Sequence, residues 1–204
     1  MDQSIENLDS LYDNTVNIYS NILGQTGEHI LENINGAIND LKTNWHGRDA
    51  GVQIQGLTTV YNEFIDIYNN LELISVGMSK ICRNYRNIQV AFKTQKEEKN
   101  ILTYNKKTHM LDYTDTDDRI DINEEVKNSV SKLESAISSY DSFMKQNKMM
   151  YDNIINNWTT GYGRDKLLDL YDSFFSKEEV YKEGLNIVTN SIKTALDNYV
   201  FNVE

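Results

Sequence analysis

Residues 57–92, LTTVYNEFIDIYNNLELISVGMSKICRNYRNIQVAF, decide the fold. Their apolar members are Leu57, Val60, Phe64, Ile67, Leu71, Ile74, Met78, Ile81, Tyr85, Ile88 and Phe92, and the steps between them alternate three and four without a miss. Such a series is a heptad seam, the stripe a helix buries against neighbouring helices. About five repeats make roughly 50 Å of helix at a rise of about 1.5 Å per residue. Proline, the residue most disruptive to a helix interior, is absent from the chain, where average usage would supply about ten.

Toward the C-terminus the pattern returns. Val126, Val130, Leu133, Ile137, Tyr140, Met144, Asn147, Tyr151, Ile154 and Trp158 form a second seam with Asn147 as its polar member. A buried Asn in a seam fixes register or partner number, whereas one near the surface is merely tolerated, and both readings stay open. Leu167, Leu170, Phe174, Tyr181, Leu185, Val188, Ile192, Ala195 and Tyr199 make a third seam with a polar gap near Lys177 and Glu178. Toward the N-terminus the regularity falters. Ile5, Leu8, Tyr12, Thr15, Tyr19 and Ile22 set one phase and Leu31, Ile34, Ile38, Leu41 and Trp45 another, with the slip at Gly24 to Gly27. A break at these glycines and a continuous but drifting stripe are both compatible with it.

Residues 97–121 lose the helical period. The acidic run of Asp112, Asp115, Asp117, Asp118, Asp121, Glu124 and Glu125 reads as a solvated linker feeding a helix N-terminus, where carboxylates suit the dipole. A small β-hairpin pairing Ile101–Tyr104 with Met110–Tyr113 is a second reading of that stretch. The organisation expected is all-α: a first helical hairpin over 1–97, a polar linker over 98–121 and a second hairpin over 122–204, the long antiparallel hairpins forming a four-helix bundle.

With 204 residues, 39% apolar and 10% aromatic, the chain can fill a core. Its formal charge of −11 argues against binding nucleic acid by phosphate neutralisation and against an anionic membrane surface. Cys82, the only cysteine, lies beside the apolar positions of a helix and reads as a buried reduced thiol. No run of about 18 apolar residues appears, so stable membrane insertion is not expected. The first ten residues lack the basic and apolar regions of a secretory leader.

Two corners punctuate the helices. Asn44-Trp45-His46-Gly47-Arg48-Asp49 closes the first long helical stretch, and Asn157-Trp158-Thr159-Thr160-Gly161-Tyr162-Gly163-Arg164-Asp165 closes the second. Each reads Asn-Trp, a glycine turn, then Gly-Arg-Asp opening the next helix, which implies a duplicated hairpin. Glycine supplies the unusual backbone needed past a helix end, Asp charges or caps the next N-terminus, and Trp45 and Trp158 read as core residues of the corners.

At Trp45, Gly47, Trp158, Gly161 and Gly163 the chain resembles the WXG100 (ESAT-6-like) family of small secreted helical hairpins, in tandem form. Trp45-His46-Gly47 matches the family's Trp-x-Gly turn. Trp158 is followed by Thr159 and Thr160 before Gly161, which makes the second turn one residue longer. The resemblance implies a four-helix bundle made of two hairpins and use of a type VII secretion system. It also implies a protein partner, either a WXG100-like protein or a larger secreted effector, or self-association. The family carries a Tyr-x-x-x-Asp/Glu export signal after the second helix of one partner; Tyr113 and Asp117 fit it, and Tyr68 with Glu72 fits it inside a heptad helix.

No catalytic, cofactor or metal site is expected. His29, His46 and His109 have no spacing that gathers them with a nucleophile, and Gly47-Arg48-Asp49-Ala50-Gly51 lacks the Lys-Ser/Thr of a phosphate loop. His29 with Glu32 reads as a surface pair, and Asp115, Asp117 and Asp121 lack the glycine and final glutamate of a calcium loop. What the resemblance implies is a non-enzymatic bacterial protein of type VII secretion, exported without a cleaved signal peptide or cytoplasmic before export. The alternatives are a cytosolic coiled-coil adaptor or structural bundle unrelated to secretion and, last, a helical pore-forming toxin.

Overall fold

The first helix begins where Asn7 can cap it, its side-chain oxygen accepting the Ser10 amide at 3.0 Å. In this computed structural model, which describes residues 4, 5, 7–91, 97–118 and 120–200, β1 (Ser4–Ile5) precedes α1 (Leu8–Asn17). A π-helical stretch (Ile18–Gly27) and α2 (Glu28–Asn44) continue the helix without interruption. Wider π winding takes more residues per turn, so ten residues of it shift the buried stripe from the Leu11 phase to the Ile30 phase. The glycines therefore do not break the helix, and the slip is absorbed by winding.

β2 (Trp45–His46) turns the chain into α3 (Arg48–Ala91), 44 residues long. Its seam is buried at Leu57, Val60, Phe64, Leu71 and Met78 but only half-buried at Ile67, Ile74, Ile81 and Tyr85, and Ile88 is 56% exposed. Phe92 lies outside the described residues. Tyr68, Ser75, Ser79, Cys82 and Arg86 are buried instead, at steps nearer the natural helical repeat of about 3.6 than to 3.5.

β3 (Asp121–Ile122) and a 3-10 turn (Glu124–Val126) lead into α4 (Lys127–Asn157). Along the second seam most predicted positions are right, but at Val130, Ile137 and Tyr151 the buried residue is one position earlier. Val126, Leu133, Tyr140, Asn147 and Ile154 are buried as expected, but Ser129, Ala136 and Met150 are buried where Val130, Ile137 and Tyr151 were predicted; Phe143 joins Met144. Small Ala136 permits close approach, and Ser129 satisfies its hydroxyl on the Val126 carbonyl at 2.6 Å, so both fit a tight contact. Asn147 is fully buried, its amide nitrogen on the Phe143 carbonyl at 2.9 Å, which removes the near-surface reading.

β4 (Trp158–Thr160) leads to α5 (Tyr162–Phe175) and α6 (Glu178–Val200). The polar gap near Lys177 is a turn between two helices, closed by Ser176 and Lys177 amides on the Asp172 and Phe174 carbonyls. Tyr171 is buried in place of Leu170, which is 54% exposed.

The fold is all-α, a bundle of helical hairpins built on four long helical stretches. Its contacts sort into two compact units, each drawing on both hairpins. Unit 1 is Met1–Thr26, Ile67–Lys107 and Ser142–Lys177; unit 2 is Gly27–Asp66, Thr108–Asp141 and Glu178–Glu204. In unit 1, Tyr151, Tyr171 and Phe175 cluster with ring centroids 4.9 to 5.8 Å apart. Arg86, 1% exposed, is held by Asp9, which also receives Lys99 at 2.8 Å. In unit 2, Phe64, Tyr140 and Tyr181 form the aromatic centre at 4.8 to 6.2 Å.

The linker is neither loose nor a hairpin. Ile101–Tyr104 and Met110–Tyr113 are not strands; residues 97–118 run as an extended strap hydrogen-bonded to side chains of α3. In unit 1 the Leu102 amide meets Ser79 Oγ at 3.0 Å and the Asn105 amide meets Glu72 at 3.2 Å, while Asn69 both accepts from the Lys107 amide and donates to its carbonyl. These strap contacts, with Tyr12 and Tyr19 hydroxyls on the Asn100 and Thr103 carbonyls, account for polar Ser79, Glu72 and Asn69 being buried on α3.

Candidate functional site

Each tryptophan corner is built the same way. In unit 2, α2 ends at Asn44 and Trp45 leaves in extended conformation, fully buried, its ring edge-on to Tyr199 at 6.0 Å. Trp45 and His46 pair antiparallel with Ile122 and Asp121, and the Asn123 amide continues the ladder to the Asn44 carbonyl at 2.8 Å. Gly47 then takes φ 118°, a region L side chains avoid, and its carbonyl accepts the Gly51 amide to start α3. Asp49, in the first turn, carries the charge a helix N-terminus favours and accepts the Tyr199 hydroxyl at 2.9 Å.

In unit 1, α4 ends at Asn157, and Trp158 and Thr160 pair with Ile5 and Ser4. Trp158 is fully buried and donates from its indole nitrogen to the Thr160 carbonyl at 3.1 Å. Gly161 takes φ 132° and accepts the Asp165 amide. Gly161 is thus the geometric counterpart of Gly47, so the shared Gly-Arg-Asp strings are not equivalent positions. Gly163 serves another purpose: a Cβ there would stand 3.1 Å from the Trp158 ring. Arg164 donates to the Trp158 carbonyl from one turn on. β4 is one residue longer than β2, matching the extra residue between Trp158 and its glycine.

The two corners share a further design. β3 stands just ahead of α4, yet it completes the corner of the first hairpin; β1 stands just ahead of α1 and completes the corner of the second. Each corner therefore uses the other hairpin's lead-in residues.

Tyr113 and Asp117 lie on the strap within unit 2, against the Trp45 corner. The Asp115 carboxylate between them accepts the Gly47 amide and the Asp117 amide, both at 3.0 Å, and these two bonds hold it below the usual carboxylate range; burial opposes and His46, 3.9 Å away, assists. The Asp117 carbonyl accepts the Arg48 amide at 3.1 Å, and the Arg48 guanidinium reaches Asp118 at 3.2 Å. The Tyr113 amide meets Gln55 at 2.6 Å, and its ring lies under Lys42, 4.9 Å from the centroid. Burial and Asp115 push the Tyr113 phenol up. Tyr68 and Glu72, the other sequence match, are both buried on α3 in unit 1.

The residues weighed for chemistry are dispersed. His29 touches Asn33 and Ser135 at the surface, His109 meets Asp66 at 2.8 Å, and Asp115 is engaged by backbone amides. Among the described residues no group of three or more His, Cys, Asp or Glu could hold a metal ion. Burial pushes the Cys82 thiol up to about 12, with Lys99 and Arg86 pulling weakly the other way. No described helix is long and apolar enough to cross a membrane.

Sequence reasoning missed Gln55, Asn62 and Gly51. Gln55 and Asn62 stand seven residues apart on the flank of α3 that receives the strap, a polar heptad beside the apolar one, and that spacing was the available signal. No protein-family model, no curated protein and no solved structure matches this chain.

Proposed function

We propose that this chain acts without enzymatic chemistry in bacterial type VII secretion, as an exported substrate or as the targeting partner of a larger secreted effector. The observation that carries the reading is the Trp45 corner together with what lies on it. A Trp-x-Gly turn with a buried Trp and a positive-φ Gly joins two long helices, and the Tyr113–Asp117 stretch is fastened to that same turn through Asp115. A second corner of like construction at Trp158 supports a tandem chain, in which two hairpins of one polypeptide supply what two partners supply in the family it resembles. The net charge of −11 and the lack of a membrane-crossing helix among the described residues agree with a protein whose work is to bind protein.

The test is a pull-down of the tagged chain from its native lysate, with the mass of the recovered complex. Co-purification of a larger protein with an N-terminal helical targeting region supports the partner role. Recovery of the chain alone, with no change in its amount outside the cell when the secretion machinery is inactivated, rejects the proposal in favour of a cytosolic adaptor.

A further inference from the structure

In unit 2, α3 reads the strap by its backbone. Asn62 accepts the Met110 amide at 2.7 Å and donates to the Met110 carbonyl at 3.0 Å, so one side-chain amide matches both polar groups of one residue as a neighbouring strand would. Gln55 does related work one step on, accepting the Tyr113 amide at 2.6 Å and donating to the Asp112 carboxylate at 2.9 Å. The register is a match of two periods. Seven residues of helix rise about 10.5 Å, and three residues of extended chain span about 10 Å, so Asn62 and Gln55 fall opposite Met110 and Tyr113. Beyond Gln55 the strap comes so near that a Cβ on Gly51 would stand 2.7 Å from the Asp115 carbonyl oxygen and 2.9 Å from its amide nitrogen, and the Gly47 and Arg48 amides then donate to the Asp115 carboxylate and the Asp117 carbonyl.

Apart from polar contacts such as Asp115 on the Gly47 amide, His109 on Asp66 and the Tyr113 ring under Lys42, the strap contributes little that ties it down. None of residues 108–118 is buried, and Leu111, its one aliphatic side chain of size, is 89% exposed. Except for the Gln55 bond to the Asp112 carboxylate, the Gln55 and Asn62 side-chain amides hold backbone groups that any peptide carries, at a solvent edge where water competes for them.

We propose that this flank of α3, from Gly47 to Asn62, is a binding track for an extended peptide, and that residues 109–117 are its tethered occupant. Vacated, the track takes an extended segment of another chain that carries a carboxylate to meet the Gly47 amide. Tethering gives the strap a high effective concentration, so an incoming segment binds only when the strap is loosened. This proposal is independent of any role in secretion.

The probe is a fluorescein-labelled peptide of residues Lys107 to Asp118, titrated into the full-length chain and followed by anisotropy. Two variants loosen the strap and leave the track intact. Met110→Pro with Asp115→Ala removes the amide donor to Asn62 and the carboxylate at Gly47; Asp115→Ala alone keeps every backbone donor. The expected result is binding at least tenfold tighter to the double variant than to the unaltered chain, a smaller rise for the single variant, and loss of the gain when Gln55→Leu and Asn62→Leu are added. Equal binding by loosened and unaltered chains, both helical by circular dichroism, overturns the proposal. So does a gain that survives loss of Gln55 and Asn62.

Discussion

At Gly47 and Gly161 the backbone takes φ of 118° and 132°, and Gly161 pairs this with ψ 151°, a combination open essentially to glycine alone. Replacing either by Ala should destabilise the chain by about 1–3 kcal/mol in chemical denaturation, the range for a residue forced into such a region. Gly24 is the contrast: a Cβ there meets only the Tyr19 carbonyl at 3.4 Å, within a helix, so Gly24→Ala should raise the melting temperature, by the effect of up to about 1 kcal/mol that Ala has over Gly in helices. Cys82, fully buried with its thiol pushed up to about 12, should resist alkylation at pH 8 until denaturant is added. The motif residues were legible because a Trp flanked by a glycine turn between two heptad helices admits few other readings. The equivalence of Gly47 with Gly161 was not, because the Gly-Arg-Asp letters align a different pair and only the backbone dihedrals separate them.

Among the elements, the strap makes the most specific demands. A methyl group on Gly51 would collide with the strap backbone at Asp115, so Gly51→Ala should leave helix content unchanged and abolish amide-exchange protection at Met110 and Tyr113. Acid should act on the same latch. The Asp115 carboxylate is held below its unfolded value of about 3.9, so its contribution is present above that value and is lost as pH falls through the lower, folded one. Protection of the strap amides, taken relative to their intrinsic exchange rates, should therefore fall as pH drops below about 4, and Asp115→Ala should remove that acid dependence. Helix existence and length were written in the 3-4 alternation, but the buried companion position on α4 was not. Apolar periodicity favours Val130 and Ile137, whereas close helix packing buries Ser129 and Ala136, whose small size is invisible to a hydropathy pattern. The π-helical winding at Ile18–Gly27 and the strap's adhesion to Asn and Gln side chains escaped for a related reason: both depend on hydrogen bonds rather than on burial of apolar surface.

For the molecule entire, the decisive feature is that each compact unit draws on both hairpins and each tryptophan corner is completed by the other hairpin's lead-in strand. A chain cut to residues 1–97 lacks Asp121 and Ile122, the partners of His46 and Trp45, and one cut to 98–204 lacks Ser4 and Ile5, the partners of Thr160 and Trp158. Either half alone should lose the near-ultraviolet dichroism of its buried Trp, and mixing the halves should restore it; a half that keeps the native signal by itself would refute the interlocked arrangement. The secretion proposal is tested most directly by quantitative mass spectrometry of culture medium from the producing cells, with the type VII machinery it invokes intact and inactivated. The account predicts that this chain, or a larger protein that co-purifies with it, disappears from the medium when the machinery is lost; an undiminished pool of both would contradict it.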